Sequence, residues 1–364
     1  MPDKKPDIRE LSPQDILEVV KLAGEKPFRA GQVFNWVQVK AVQDWSGMTN
    51  ISPTAQAGLR DTAALLPHKL EKVLISRDGT RKYLWGLVDQ QAVESVLLQH
   101  AGDRTRSRNT LCLSTQVGCP MGCSFCATGK SGYRRNLSAA EIIGQVLDTT
   151  YDRRSGDPEF KINNLVYMGM GEPLLNLPAV LKSIKILNHT DGQNIGIRRI
   201  TLSTCGLVPQ MDELASHNLD IVLAVSLHAP TNELRNQIMP VNKSFPLEQL
   251  IPACNRYYER TGRRVTFEYA LIKNFNDGTQ NALLLAQLLR GVSGTANVNV
   301  IPVNTIDSAI SKKPEPQKVR EFVNALRRLG VNAVIREEKG SDIEAACGQL
   351  AGKRLNGADN GTGL

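Results

Sequence analysis

Residues 109–128 read NTLCLSTQVGCPMGCSFCAT, and this stretch decides the fold, because an apolar strand pattern is followed directly by three closely spaced cysteines. Cys119, Cys123 and Cys126 form a C-x3-C-x2-C triplet within one loop. Three thiolates from one loop can bind three irons of a [4Fe–4S] cube and leave the fourth iron open. A structural zinc ion prefers four closed ligands, and no nearby Cys or His completes that set. The triplet therefore predicts an iron–sulfur cluster, with structural zinc or simple buried cysteines as the alternatives.

From about residue 108 the chain alternates between apolar strands and helical stretches. Strands are predicted at 109–115, 163–169, 198–204, 220–227, 264–272 and 297–303, and helices at 138–150, 178–188, 246–260, 279–290 and 315–329. Parallel strands need such crossover helices, so the fold class is α/β with a parallel sheet. Six units are too few for a closed eight-stranded barrel. We therefore expect an open, partial (β/α)6 barrel whose chemistry lies at the carboxyl ends of its strands.

The first 90 residues follow a different pattern. Short helices are predicted at 12–24, 32–39 and 52–66, and antiparallel strands at 69–75, 81–87 and 92–98. We expect three parts: a small N-terminal helical accessory domain with linking strands (1–90), a catalytic domain (91–350) and a flexible tail (351–364).

Composition excludes several classes of protein. The 364 residues are 41% hydrophobic, which is enough for a core and excludes a disordered or fibrous chain. No run approaches the roughly 18–20 apolar residues of a membrane helix, and the start lacks a signal-peptide core. A cytoplasmic location is therefore expected. In that compartment the seven cysteines predict metal ligands, catalytic thiols or core filler instead of a disulfide framework.

The positive charge is concentrated in two segments. The formal net charge is +8; residues 101–136 hold six basic side chains against one acidic, and residues 311–340 hold eight against four. Two basic segments can flank one polyanion if the fold brings them together. Otherwise they are two solvated surfaces.

The chain resembles the radical S-adenosylmethionine (SAM) enzymes, whose hallmark is this triplet after the first strand of a partial barrel. Within that superfamily it is similar to the adenine-C2 methyltransferases of ribosomal and transfer RNA. The similarity runs from about residue 24 to residue 352, and it rests on STQVGCPMGCSFCATG (114–129), YMGMGEPLLN (167–176), TLSTCGLVP (201–209), SLHAP (226–230) and DIEAACGQLAG (342–352).

The resemblance implies SAM contacts at the ends of the barrel strands. The matching residues are Gly171, Glu172, Ser203, Ser226, Leu227, His228 and Asn304. Glycines permit a close backbone approach, and a carboxylate can take the SAM ammonium group. The alternative is a set of polar caps at strand ends, and for His228 a hydrogen-bonded structural histidine. Cys205, close to Ser203, is interpreted as a packing residue.

The resemblance also implies how an electron-poor position, adenine C2, is methylated with two SAM molecules per turnover. Cys347 takes a methyl group from one SAM, and the reduced cluster cleaves a second SAM to a radical that activates this methyl group. Cys112 matches the resolving thiol, which ends in a transient disulfide with Cys347. Glu94 matches the proton acceptor. From the residues alone, both thiols could be core filler, as Cys254 is taken to be, and Glu94 an exposed strand carboxylate.

The implied partners are 23S rRNA, the anticodon loop of tRNA, and an electron donor such as flavodoxin or ferredoxin. No membrane partner is expected, and the protein is expected to be a monomer. The N-terminal unit is implied to hold RNA through Arg29 and four aromatic residues, Phe28, Phe34, Trp36 and Trp45, which could equally be core. The alternative functions are methylation of adenine C8 in rRNA, which gives antibiotic resistance, RNA binding with a purely structural metal site, and radical SAM activation of a non-RNA target.

Overall fold

A computed structural model describes residues 5–100, 108–304 and 312–352. The strands are β1 (Lys69–Ile75), β2 (Arg81–Gly86), β3 (Ala92–His100), β4 (Arg108–Cys112), β5 (Gln116–Gly118), β6 (Tyr133–Asn136), β7 (Asn164–Tyr167), β8 (Ile200–Thr204), β9 (Val222–Ser226), β10 (Val265–Leu271), β11 (Asn297–Pro302) and β12 (Asn332–Ile335). The α-helices are α1 (Pro13–Leu22), α2 (Arg29–Phe34), α3 (Pro53–Thr62), α4 (Ala127–Lys130), α5 (Ala139–Arg154), α6 (Leu177–Leu187), α7 (Val208–Ser216), α8 (Asn232–Ile238), α9 (Leu247–Thr261), α10 (Thr279–Leu289) and α11 (Pro316–Arg328).

The main sheet is parallel over most of its width. Its ten strands follow the order β1-β2-β3-β4-β7-β8-β9-β10-β11-β12, so the described sheet stays open at both edges. Strands β4 and β7 to β12 pair in parallel. The crossovers between them contain helices, as the alternating pattern predicted. The α/β class and the partial-barrel architecture are thus confirmed.

Three elements of the barrel differ from the prediction. Strand β12 is a seventh parallel strand; it is only four residues long, and its apolar run of three residues is too short to predict a strand. Helices α7 and α8 were not among the predicted helices. Helix α7 begins without a side-chain cap and carries a proline in its first turn. Helix α8 is short, although the Thr231 side chain accepts a hydrogen bond from the Leu234 amide and so gives a cap signal in the sequence.

Strands β1 to β3 continue the same sheet. They pair antiparallel with each other, and β3 pairs antiparallel with β4. The predicted linking strands are therefore an extension of the barrel sheet that runs across residue 90. The division into domains at that residue stays a prediction. Of the predicted tail (351–364), residues 353–364 lie outside the described residues.

The N-terminal helices begin where the capping residues predict. Ser12 and Asp15 form a capping box at α1, and Ser52 caps α3; each helix has proline in its first turn. The predicted helix at 32–39 is α2 followed by five residues of π-helix, Asn35–Val39.

The N-terminal aromatic residues divide between core and surface. Phe34 and Trp45 are buried, so the core interpretation holds for them. Trp36 is half-buried and donates from Nε1 to Asn50 Oδ1 at 2.5 Å. Phe28 is 61% exposed, and the Arg29 guanidinium lies 5.4 Å from the centre of its ring. Of this set, Phe28 is exposed, whereas Arg29 beside it is half-buried and also contacts Glu25 at 3.5 Å and the Asn50 carbonyl at 2.9 Å.

A buried ionic cluster joins the N-terminal unit to the barrel. Asp148 on α5 lies 3.4 Å from Arg9 Nη1 and 3.1 Å from His68 Nδ1, and it accepts a hydrogen bond from Gln43. Burial alone raises the pKa of Asp148, but His68 and Arg9 outweigh burial, and the pKa is lowered. Breaking this cluster would leave a buried charge, so the unit and the barrel are firmly attached.

The turn between β1 and β2 anchors the segment that follows β12. Asp78 accepts hydrogen bonds from the amides of Thr80 at 2.8 Å and Gly340 at 2.9 Å. Although desolvation raises the pKa of Asp78, these hydrogen bonds lower it to about 2.

None of the helices within residues 5–100, 108–304 and 312–352 is long and apolar enough to cross a bilayer.

The Asp78 anchor predicts a dependence of stability on pH. Because the pKa of Asp78 is lower in the folded chain than in the unfolded chain, its stabilisation is complete above pH 4 and is lost as pH falls toward 2. We expect Asp78→Asn to lower the free energy of unfolding by about 1 kcal/mol at pH 7 after solvent screening. Urea unfolding between pH 3 and pH 7 measures this difference. An equal difference at both pH values would contradict the assignment.

Candidate active site at the mouth of the barrel

The cysteine triplet lies in a loop supported by a small hairpin. Strand β4 ends at Cys112, earlier than predicted, and the loop that holds the triplet runs from β5 to β6. Gly118 has a φ of +76°, and a Cβ there would overlap the carbonyl oxygen of Gly132. Only glycine fits this crossing, which directs the chain into the cysteine loop.

The three predicted ligand thiols are close enough to affect one another. Burial raises the pKa of Cys119 to about 12, and the Cys126 thiol contributes to the increase. Burial also raises the pKa of Cys123 strongly, with further contributions from Cys126 and Cys119. All three side chains are half-buried. The loop therefore gathers three thiols, and binding of a metal would deprotonate them.

The carboxylate predicted to meet SAM is buried next to this loop. Glu172 accepts hydrogen bonds from the amides of Cys205 at 2.8 Å and Leu174 at 3.1 Å. Burial raises the pKa of Glu172, and no ion pair reaches it within the described residues. Gly171 has a φ of +105°, and a Cβ there would lie 2.6 Å from the Gln116 side chain. An ammonium group arriving here would supply the missing positive charge.

Strands β8 and β9 bring the next predicted contacts to the same edge. Ser203 and Ser226 are half-buried at the ends of these strands, and Leu227 is fully buried. The backbone of Leu227 is already paired: its amide donates to the Glu268 carbonyl, and its carbonyl accepts from Arg235 Nε. The structure thus gathers these predicted contacts, with Leu227 held by its main chain.

His228 is a neutral, hydrogen-bonded histidine. Burial and the nearby Arg235 together lower the pKa of His228 to about 3, and burial is the larger of the two causes. Its Nδ1 accepts a hydrogen bond from the Ala270 amide at 2.9 Å, so the ring proton belongs on Nε2. Nδ1 of His228 therefore makes the hydrogen bond expected of a structural histidine, whereas Nε2 stays available as a donor. Asn304 is buried after β11, and its Nδ2 lies 3.5 Å from the Cys347 carbonyl oxygen.

Cys347 lies near both Cys112 and the cysteine loop. Electrostatic interactions link it to Cys112 at the end of β4 and to Cys126 in the cysteine loop. Burial raises the pKa of Cys112 to about 12 and also raises that of Cys347, while the Arg336 guanidinium acts in the opposite direction on both. Both are free thiols here, so the expected Cys112–Cys347 disulfide is absent from this structure. Cys347 as a whole residue is exposed to solvent, although its thiol is surrounded closely enough for burial to raise its pKa.

Glu94 is buried, so the interpretation of an exposed strand carboxylate is wrong. Its Oε2 accepts the amides of Ala351 at 2.7 Å and Gly352 at 3.0 Å, and its Oε1 lies 3.4 Å from Lys82 Nζ. The single-sequence pattern fails because the residues that cover Glu94 come from the far end of the described chain.

The two basic segments meet around His100, at the amino end of β4. Arg108 belongs to the first segment, and Arg336 and Lys339 belong to the second. Burial lowers the pKa of His100, and all three cations lower it further, so they surround one side chain. Lys339 also donates to the Gln99 carbonyl at 3.3 Å. Residues 101–107, with two of the arginines of the first segment, lie outside the described residues.

Comparison with known proteins shows the family. Residues 113–286 match the radical SAM superfamily, and residues 7–65 match the ribosomal RNA large subunit methyltransferase N-terminal domain. A probable dual-specificity RNA methyltransferase RlmN from Heliobacterium modesticaldum is 48% identical over 95% of this chain and 89% of its own length. One from Moorella thermoacetica is 47% identical over 94% and 96%.

The chain belongs to the RlmN family of radical SAM RNA methyltransferases. The crystal structure of a radical SAM methyltransferase from Sphaerobacter thermophilus agrees, with 41% identity, a TM-score of 0.89, and coverage of 96% of this chain and 100% of that one. Membership brings a [4Fe–4S] cluster and SAM as cofactors, as the triplet and the resemblance predicted.

The cysteine loop fits the cluster of the RlmN family. Among the described residues, no three His, Cys, Asp or Glu side chains converge as ligands of a single ion. A cube does not require this, because each thiolate binds a different iron. The remaining thiol nearby, Cys205, is buried with its Sγ 3.1 Å from Met121 Sδ. Cys119, Cys123 and Cys126 therefore stay the predicted ligands of the cluster.

Two buried cations of this RlmN-family protein were not predicted. Lys82 on β2 contacts Glu94, as described above. Arg235 on α8 is fully buried and donates to the carbonyls of Cys205, Ser226 and Leu227, which tie the ends of β8 and β9 together. A signal for Lys82 was available: it shares one face of an apolar strand with Leu84 and Gly86, where a solvent-facing lysine is unexpected.

Proposed function

We propose that this protein methylates C2 of a specific adenosine in 23S rRNA and in the tRNA anticodon loop, through a methylated Cys347. The observation that carries the proposal is the position of Cys347, within electrostatic range of both Cys126 and Cys112 at the mouth. The relatives named as dual-specificity RNA methyltransferases support the RNA substrates. The basic residues that meet around His100, which are Arg108, Arg336 and Lys339, suit an RNA backbone.

The residues of the chain supply a nucleophile, a base and a second thiol. When bound, the cluster and two SAM molecules supply a methyl group and the radical that activates it. Cys347 holds the carbon next to the RNA, and Glu94 takes the proton from C2, while the one unpaired electron that the radical leaves on the RNA adduct would return to the bound cluster. Cys112 then attacks Cys347 Sγ: the S–S bond forms, the S–C bond to the product breaks, and the released carbon takes up a proton. The resulting disulfide is transient, which is consistent with the free thiols described here.

The strand-end residues hold SAM in this proposal. Glu172 takes the ammonium group, and Gly171 lets the main chain approach it. His228 Nε2 is the ring atom free to donate, since Nδ1 is engaged. The other contacts are Ser203, Ser226, Leu227 and Asn304.

The proposed setting follows from the substrates. Ribosomal and transfer RNA place the reaction in the cytoplasm, with the protein acting as a monomer. Cleaving SAM reductively needs an electron donor, for which flavodoxin or ferredoxin is proposed. The exposed Phe28 ring on the N-terminal unit, with Arg29 beside it, is available to stack on an unpaired base.

An anaerobic assay on unmodified fragments of 23S rRNA and tRNA tests the function. With SAM and a reductant, we expect 2-methyladenosine in both RNAs, identified by mass spectrometry of the nucleosides. The appearance of 8-methyladenosine would identify the C8 activity that uses the same parts. Formation of 5′-deoxyadenosine without any methylated nucleoside in either RNA would contradict the proposal.

A further inference from the structure

Lys82 is a buried lysine with two partners in the described structure. Its side chain is 9% exposed, and Nζ lies 3.4 Å from Glu94 Oε1 and 3.1 Å from the Glu344 carbonyl oxygen. Both contacts are within reach of an ammonium group, which carries three donors. Lys82 therefore joins strand β3 to the segment that follows β12.

These contacts lie on both sides of Cys347. Glu344 precedes Cys347 by three residues and contacts Lys82 directly. Ala351 and Gly352 follow Cys347 and donate their amides to the Lys82 partner, Glu94. The Lys82–Glu94 ion pair thus fixes both flanks of the segment 344–352, which we call the thiol segment.

The far side of the thiol segment rests on the cysteine loop. The Gly348 carbonyl accepts a hydrogen bond from the Ala127 amide at 2.7 Å, and the Leu350 carbonyl accepts one from Thr128 Oγ1 at 2.5 Å. The thiol segment therefore spans the space between the antiparallel strands and the loop that holds Cys126. Its position depends on anchors at both walls.

The charges explain why the ion pair matters. The Glu94 side chain is 8% exposed, and Lys82 is the cation that pairs with it among the described residues. Removing one member of a buried pair leaves an uncompensated charge, which is strongly unfavourable. Without Lys82, the carboxylate would turn toward water or take up a proton, and its hold on the two amides would weaken.

We propose that Lys82 is a positioning residue for methyl transfer: with Glu94 it holds the thiol segment at both flanks and so sets where Cys347 presents its carbon. The inference rests on the proposed function of Cys347 and Glu94. It adds Lys82 to the residues on which methyl transfer depends, and it gives Glu94 a second task besides accepting a proton.

Lys82→Met, Lys82→Arg and Lys72→Met test this inference in the holoenzyme. Met keeps most of the length of lysine without its charge, Arg restores the charge, and Lys72 is an exposed lysine on the neighbouring strand β1. We expect Lys82→Met to lower kcat for 2-methyladenosine about 100-fold, because small displacements of reacting groups cost this much. KM for RNA should change little, Lys82→Arg should recover most of the rate, and Lys72→Met should match the unchanged protein.

Hydrogen exchange provides a readout that does not depend on RNA. In Lys82→Met the amides of Ala351 and Gly352 should exchange about tenfold faster, since their acceptor is loosened. Unchanged exchange with full activity would overturn the inference. Equal losses in Lys82→Met and Lys82→Arg, with a higher KM, would reduce Lys82 to a structural role. If the unchanged protein makes no 2-methyladenosine while exchange still responds to Lys82→Met, it is the proposed function that fails, not the anchor.

Discussion

Cys347→Ser is expected to abolish RNA methylation while leaving the cluster in place and SAM cleavage detectable. Serine has nearly the same shape, but its hydroxyl is a far weaker nucleophile toward a methyl group than a thiolate. The three cluster ligands are in a different loop, so iron content should not change. We expect product to fall about 1,000-fold or more, the scale of removing a nucleophile. Nucleoside mass spectrometry and the yield of 5′-deoxyadenosine measure the two effects.

Cys254→Ala is the matched control for this variant. Cys254 is buried on α9, and it lies in the core as predicted. The variant loses one thiol without touching the mouth, so its methylation should stay near that of the unchanged protein. Methylated RNA from Cys347→Ser at a comparable rate would disprove the role of Cys347.

Cys123→Ala is expected to remove both the cluster and all chemistry that depends on it. Two remaining thiols in the loop cannot hold a cube that needs three. Iron content, the visible absorption of the cluster and 5′-deoxyadenosine formation should all fall to background, at least about 100-fold for the last. Iron analysis after anaerobic reconstitution is the direct measurement.

Cys205→Ala distinguishes three ligands from four. Cys205 is a neighbouring buried thiol whose sulfur contacts Met121. If only the triplet binds iron, this variant keeps four irons per chain and cleaves SAM. Loss of iron in both variants would show that Cys205 is a ligand and that the open corner of the cube does not exist.

Local signals carried most of the prediction of the fold. Ser12 and Ser52 with their prolines placed the starts of α1 and α3, because capping acts within one turn. Apolar runs located the six parallel strands β4 and β7 to β11. Strand β12 has an exposed surface and only four residues, so its burial pattern is too weak to distinguish it from a loop.

The sequence indicated which residues to consider for the site, but it did not predict which other residues they contact. The spacing of Cys119, Cys123 and Cys126 is a local signal with a chemical meaning of its own. The burial of Glu94 is not local: the amides that cover it come from residues 257 and 258 positions later in the chain. No periodicity within a strand can report such a partner, and the strand pattern alone gave the wrong exposure.

The attachment of the thiol segment to β2 and β3 has a consequence for biosynthesis. Lys82 and Glu344 are separated by 262 residues, and contacts across so long an interval form only after the intervening barrel has closed the distance. On a translating ribosome, the iron-binding loop emerges more than two hundred residues ahead of Cys347. In the proposed mechanism Cys347 is therefore the last part of the site to be made, and a nascent chain that stops before it could not join itself covalently to RNA.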